Sequence, residues 1–148
     1  TAEAGFFVQH QNGALINRLE LRQGLGGHQG FIAEYRTAYQ SRFKLLKKLI
    51  GYAFGPEVRV ADSNYNNAFF GIDQEQSANT EYEPYDANFG LLSVGLSGKV
   101  LVPINQQLST VLLFRYSHLG NVATDSPLIE TSGSANQTTV GFLINYTF

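Results

Sequence analysis

The sequence contains no cysteine, and only 15% of its 148 residues are charged. Without cysteine the chain can form neither a disulfide framework nor a cysteine-ligated metal site. The charged fraction lies well below the roughly 25% of ordinary soluble domains, and a net charge of −2 argues against a nucleic-acid partner. No run of about 18 apolar residues is present, which excludes a membrane-spanning helix.

A membrane can also be crossed by strands of about 9–11 residues, in which every second side chain faces lipid. Seven segments of the chain alternate apolar and polar residues in this way. They are residues 2–10, 14–22, 30–40, 49–62, 91–102, 107–117 and 138–148. The last of them is the clearest, because one side of it is entirely apolar or aromatic. That side comprises Val140, Phe142, Ile144, Tyr146 and Phe148.

Short and long connections alternate between these segments. Short turns are predicted near 10–13, 41–48 and 103–106, and longer polar loops at 23–29, 64–86 and 118–135. Short turns at one end and long loops at the other are typical of an outer-membrane barrel. The stretch "FKLLKKLIGYAF" also fits a basic amphipathic helix. We favour a turn with one helical turn at 42–47, because Gly51, Gly55 and Pro56 oppose a long helix.

Alternation alone fits either a soluble sandwich or a membrane barrel, and the polar side favours the barrel. It is rich in glycine and serine, and its charges are of mixed sign, as in a cross-strand ladder of ion pairs inside a narrow lumen. The residues of this predicted ladder are Arg18, Glu20, Arg22, Glu34, Arg36, Glu57 and Arg59. We therefore predict one domain, residues 1–148, of all-β class. It is a transmembrane antiparallel up-and-down β-barrel, with about seven strands in this chain.

From Gly24 onward the sequence resembles the MipA/OmpV family of outer-membrane proteins. The resemblance rests on "GGHQG", "FFGI", "YDANFGL", "DSPL" and the "GSANQ" that precedes the last strand. It implies a barrel of about twelve strands, an even number as in bacterial barrels, of which this chain is the later part. The basic turn at 42–48 is longer than the family pattern leads us to expect. Since unpaired strand edges are costly in lipid, we expect the remaining strands to come from preceding sequence or from another chain.

The resemblance also implies a location in the Gram-negative outer membrane, with extracellular loops and periplasmic turns. It further implies a scaffold role for peptidoglycan-remodelling enzymes, with a lytic transglycosylase and a peptidoglycan synthase as partners. A small pore, or a surface adhesin or antigen of OmpV type, is the alternative. Other expected partners are outer-membrane lipid, lipopolysaccharide and the barrel assembly machinery. The predicted assembly signal is Phe142, Ile144, Tyr146 and Phe148. The predicted periplasmic contacts are Arg42, Lys44, Lys47 and Lys48.

No pattern for catalysis, a metal or a cofactor is evident, and we expect a protein that is not an enzyme and binds no cofactor. The three histidines, His10, His28 and His118, have no metal-ligand spacing and are predicted to lie in loops or turns. Ser117 and His118 would point to opposite faces of a strand. The acidic, aromatic segment 64–86 is interpreted as a solvated loop with its rings on the barrel rim, with a short helix at "DQEQSA". The alternative is a folded extracellular loop that caps the barrel, meets a partner or binds a divalent cation.

Overall fold

The computed structural model describes residues 2–147, and in it seven antiparallel strands form one sheet in the order of the sequence. The strands are β1 (Glu3–Asn12), β2 (Leu15–Gly24), β3 (Phe31–Leu45), β4 (Lys48–Ala61), β5 (Gly90–Pro103), β6 (Leu108–Leu119) and β7 (Asn136–Tyr146). The predicted all-β architecture with seven up-and-down strands is therefore confirmed. Strands β1 and β7 are the two edges, and the sheet does not close on itself within residues 2–147.

The two faces of the sheet differ in the way that a membrane barrel requires. The apolar face is exposed, with Val140 at 74% and Phe142 at 70% of full exposure. The face with the charges, here called the polar face, holds the buried side chains Glu34, Glu57 and Ser117. A soluble sandwich would show the reverse, because large exposed apolar surfaces are unfavourable in water. The apolar face is therefore built to contact lipid.

Three short turns define one end of the sheet, here called the turn end. They lie at residues 13–14, 46–47 and 104–107. Gly13 has φ +57, and Leu46 and Lys47 have φ +48 and +66, as in two-residue turns that match the twist of a hairpin. The helical turn expected at 42–47 is wrong, because β3 continues to Leu45 and pairs it with Lys48. The period-two alternation of "RFKL" outweighs its helix propensity.

The hairpin of β3 and β4 projects beyond the β1–β2 hairpin at the turn end, whereas on its other side β5 runs alongside it to Pro103. The Gln40 amide donates to the Ala14 carbonyl in the β1–β2 turn, at 2.7 Å. Residues 41–45 extend past that point, and at roughly 3.3 Å per residue the extension is about 15 Å. This segment, residues 41–49, is called the projecting tip below.

At the opposite end, called the loop end, four short helices fold over the sheet. They are α1 (Ser63–Phe70), α2 (Gln74–Ala78), α3 (Asn121–Thr124) and α4 (Pro127–Ser132). Helix α2 confirms the helix expected at "DQEQSA". Asp73 caps it by accepting from the Gln76 amide at 2.8 Å, a standard start for a short helix. None of the helices among residues 2–147 is long and apolar enough to cross a membrane.

The two long loops pack on each other and form one unit, here called the cap (residues 62–89 and 120–135). The Ser126 hydroxyl donates to the Phe70 carbonyl at 2.7 Å, and the Tyr85 hydroxyl donates to the Val122 carbonyl at 3.2 Å. The buried core of the sheet lies beneath the cap, where Tyr65 packs against a cluster that includes Ile32. Some rings do pack on the rim, as expected, but the segment is folded rather than simply solvated.

Candidate functional site: the polar face and the projecting tip

Two carboxylates and two guanidinium groups meet at the centre of the polar face. Arg115 Nε lies 2.8 Å from Glu57 Oε1, and its Nη2 lies 3.3 Å from Glu34 Oε2. Arg36 pairs with Glu34, and its Nε lies 3.4 Å from Glu57 Oε2. Glu34 and Glu57 are both buried. Because a buried carboxylate needs compensating charge, this central ion-pair cluster is a structural requirement of the face.

The cluster depends on small residues in β5, the strand that lies between β4 and β6. Gly95 and Ser97 are the β5 residues there, and they pair with Ser117 and Arg115 of β6. A Cβ on Gly95 would lie 2.3 Å from the Tyr116 carbonyl oxygen, so only glycine fits. Since no long side chain stands between, Arg115 reaches across β5 to strands β3 and β4. Arg115 was outside the predicted ladder, although its place on the polar side of its segment was a usable signal.

A second group of charges lies near β1. Arg18 Nη2 is 2.8 Å from Glu20 Oε2, and Arg22 Nη1 is 3.1 Å from Glu3 Oε2. The Arg18 guanidinium also lies 3.6 Å from the centre of the Phe7 ring, a favourable cation–π geometry. Glu3 was not among the residues of the predicted ladder.

The register of the strands explains which predicted ladder residues meet. Arg18 faces Arg36 and Glu20 faces Glu34 across β2 and β3, so like charges stand opposite each other. Between β2 and β3 the pairs therefore form along each strand, two residues apart. Across β3 and β4, in contrast, Arg36 faces Glu57 and lies 3.4 Å from it. Arg59 faces Glu34 across β3 and β4, yet its Nε donates to the Ser93 hydroxyl at 2.9 Å.

The histidines lie in three different environments. His28 lies in the β2–β3 loop as predicted. It is buried, with Nε2 3.1 Å from Glu3 Oε1 and its ring 4.9 Å from that of Tyr65. His10 and His118 lie in β1 and β6, so their placement in loops or turns was wrong. Each lies near the end of its strand, where a polar side chain can reach the membrane interface. The alternation of apolar and polar residues does not show where such a strand ends, so these two positions were assigned to the connections.

The chemistry available on this face is electrostatic. Ser117 points to the polar face and is buried, whereas the neighbouring His118 points the other way and lies 3.1 Å from Asn136 Oδ1. Among residues 2–147 no cluster of three or more histidine, aspartate or glutamate side chains is placed to hold a metal ion.

In the cap, burial raises the pKa of Tyr65 and of Tyr85 above the ordinary value, because the neutral phenol is favoured there.

The projecting tip carries the four predicted contact residues. They are Arg42, Lys44, Lys47 and Lys48. All four are exposed, and none of them forms an ion pair with another residue in the range 2–147. Leu46, at the apex, is 87% exposed. The tip therefore presents uncompensated positive charge beside apolar side chains.

The predicted assembly signal lies on the apolar face of β7. Phe142, Ile144 and Tyr146 alternate along the strand, and all three are more than half exposed. Phe148 lies outside the described residues.

The whole chain, residues 1–148, matches the protein family described as MltA-interacting protein MipA. The chain belongs to the MipA family. Two relatives of this MipA family chain are outer-membrane proteins of Vibrio. Omp26La of Vibrio anguillarum is 36% identical over 86 residues, which is 58% of this chain and 32% of the relative. OmpV of Vibrio cholerae serotype O1 is 34% identical over 86 residues, with the same two coverages.

The match therefore spans about a third of the length of these relatives, at 32%. No solved structure matches the chain significantly. The family resemblance expected from Gly24 onward is confirmed and extends to residue 1. Together with the exposed apolar face, the relatives identify this MipA family chain as an outer-membrane protein.

Proposed function

We propose that this MipA family protein is a scaffold that holds peptidoglycan-remodelling enzymes at the turn end of its sheet. The observation that carries the proposal is the projecting tip. It brings four cations together, and the segment 41–56 contains no acidic residue. Positive charge left without a partner in the fold is available to an acidic surface on another protein.

The tip also has the apolar component that a stable protein contact needs. Phe43, Leu45, Leu46 and Leu49 are all exposed there. Interfaces combine an apolar centre with a polar rim, and the tip offers both on one hairpin. Barrels of this class have their short turns in the periplasm and their long loops outside. This orientation puts the tip on the side of the membrane where peptidoglycan lies.

The description of the family names MltA as the partner, and we extend that partnership to this chain. The family resemblance described above adds a peptidoglycan synthase as a second partner. In this role the chain itself performs no catalytic step. Its role is to bring enzymes together, so its effect appears as an increased effective concentration of one enzyme near another.

The test is capture of MltA by the full-length protein in detergent micelles, measured by surface plasmon resonance. The tip variant reverses the four charges, with Arg42, Lys44, Lys47 and Lys48 each changed to Glu. The control variant changes four exposed acidic residues of the cap, Glu75, Glu81, Glu83 and Glu130, to Lys. We expect the tip variant to lose at least tenfold in affinity and the control to bind as wild type. Unchanged capture by the tip variant contradicts the proposal.

A small pore is the second candidate, because cavities lie along the polar face. One of about 420 Å³ adjoins the side chains of Arg36 and Arg115. The central ion-pair cluster and the cap lie between this cavity and the loop end. Single-channel recording in planar bilayers separates the candidates, since a scaffold blocked by the cluster gives no conductance and a pore gives discrete steps.

A further inference from the structure

Two adjoining cavities on the polar face are lined by cations and by no carboxylate of the described chain. The first, of about 420 Å³, is lined by Arg18, Arg36, Lys99 and Arg115 among its charged residues. The second, of about 980 Å³, lies nearer the turn end, and its charged lining residues are Arg42 and Lys99. Lys99 lines both, so together they form one continuous surface, called the basic groove here.

Lys99 has no counter-charge from the neighbouring strands. Its partners across the sheet are Ala53 of β4 and Leu113 of β6, which are both apolar. It forms no ion pair with another residue between 2 and 147. The nearest charged residue on β6 is Arg115, which lies opposite Ser97 in the strand register and is itself a cation. The ammonium group is therefore available to an outside anion.

Among the described strands β1 to β7, the charges of the polar face do not balance. The cations on it are Arg18, Arg22, Arg36, Arg42, Lys44, Arg59, Lys99 and Arg115. The carboxylates on it are Glu3, Glu20, Glu34 and Glu57. All four carboxylates already lie within ion-pair distance of an arginine. The surplus is positive, and it is concentrated on the turn-end side of the central cluster.

We infer that the basic groove binds small anions that carry carboxylate or phosphate groups and that enter from the turn end. Guanidinium and ammonium groups are the side chains that hold such anions best. Their field is strengthened in a concave site with low-dielectric walls. The cavity volumes fall within the range of small-molecule sites, roughly 300–1,000 Å³.

The cap makes entry from the loop end unfavourable for an anion. Its two segments, 62–89 and 120–135, contain eight acidic residues and no lysine, arginine or histidine. Those acidic residues are Asp62, Asp73, Glu75, Glu81, Glu83, Asp86, Asp125 and Glu130. An approaching anion is repelled by that surface and attracted by the groove, so the turn end is the favourable entrance. The inference does not rest on the scaffold proposal, although Arg42 belongs to both surfaces.

The test is isothermal titration calorimetry on the full-length protein in neutral detergent at low salt. The probes are citrate, glucose 6-phosphate and glucose, which separate carboxylate, phosphate and neutral ligands. We expect at least one anion to bind and glucose not to bind, and the tighter anion identifies the preferred group. Lys99→Gln should lower the affinity for that anion roughly tenfold, as expected for loss of one charge-assisted contact. Lys99→Arg should restore binding.

The matched control is Lys48→Gln, which removes the same charge from a position that lines neither cavity. It should bind the anion as wild type. Heat-modifiable migration in gels verifies the fold of each variant, and Arg42→Gln with the same expected weakening replaces Lys99→Gln if the latter does not fold. The inference is overturned if wild type binds neither anion, or if the groove variant that folds binds as tightly as wild type.

Discussion

Replacing Arg115 by Gln should destabilise the protein far more than the same change at Arg18. The two arginine side chains are almost equally exposed, at 30% and 31%. Their partners differ, since the side chains of Glu34 and Glu57 are 9% and 2% exposed and that of Glu20 is 27% exposed. The burial of the carboxylates, not of the arginines, therefore decides the magnitude.

Loss of one partner from a buried ion pair costs about 3–5 kcal/mol, because the other charge stays buried without compensation. Arg36 still contacts both carboxylates, so we reduce the expected cost of Arg115→Gln to about 2–4 kcal/mol. Arg18→Gln breaks a largely solvated pair and should cost less than about 1 kcal/mol. Urea unfolding of the full-length protein in lipid vesicles measures both free energies of unfolding. Equal losses in the two variants would refute the argument that partner burial controls the energy.

Three further predictions concern the turn and the cap. Leu46→Asn with Lys47→Gly should stabilise the hairpin by about 1–2 kcal/mol in urea unfolding, because side chains at positive φ carry strain; a loss of stability contradicts the assigned turn. Asn66→Ala removes two hydrogen bonds of a buried amide and should cost about 1–3 kcal/mol. It should also speed hydrogen exchange in 62–89, and unchanged exchange contradicts this. Tyr65 should ionise with a pKa above the ordinary value of about 10. The raised pKa stabilises the folded state while the phenol is neutral. The cap should therefore loosen as the pH rises through the raised pKa of Tyr65. Tyrosinate absorbance of Tyr65→Phe against wild type measures this, and a transition at or below the ordinary value contradicts it.

The strands could be predicted from the sequence because their alternation is a local property. The side chains of Val140, Phe142 and Ile144 indicate one face of β7 without knowledge of any neighbour. The same signal persisted through Pro56, which lies in the central strand β4 although proline cannot donate to a ladder. Between β3 and β4 the pairing skips residues 37–38 and 55–56, so the sheet accommodates the missing donor there.

The contacts across the sheet could not be predicted, because they depend on register and curvature. The predicted ladder assumed that charges on adjacent strands face opposite charges. The register puts opposite charges face to face across β3 and β4, where Arg36 faces Glu57, but it puts Arg18 opposite Arg36 across β2 and β3. The partner that completes the central cluster, Arg115, comes from a strand three positions away from β3 in the sheet. No spacing of residues along the sequence indicates a contact between two strands that lie this far apart in the sheet.

The scaffold and the anion site can be separated by experiment because the β3–β4 turn divides the four cations of the tip. Arg42 and Lys44 share the polar face with Lys99, and Arg42 lines the basic groove. Lys47 and Lys48 line neither cavity. The double variant Lys47→Glu with Lys48→Glu should therefore weaken MltA capture and leave anion binding intact. Lys99→Gln should weaken anion binding and leave MltA capture intact. If each variant impairs both measurements, the tip and the groove act as one surface, and the two functions cannot be assigned to different faces of the hairpin.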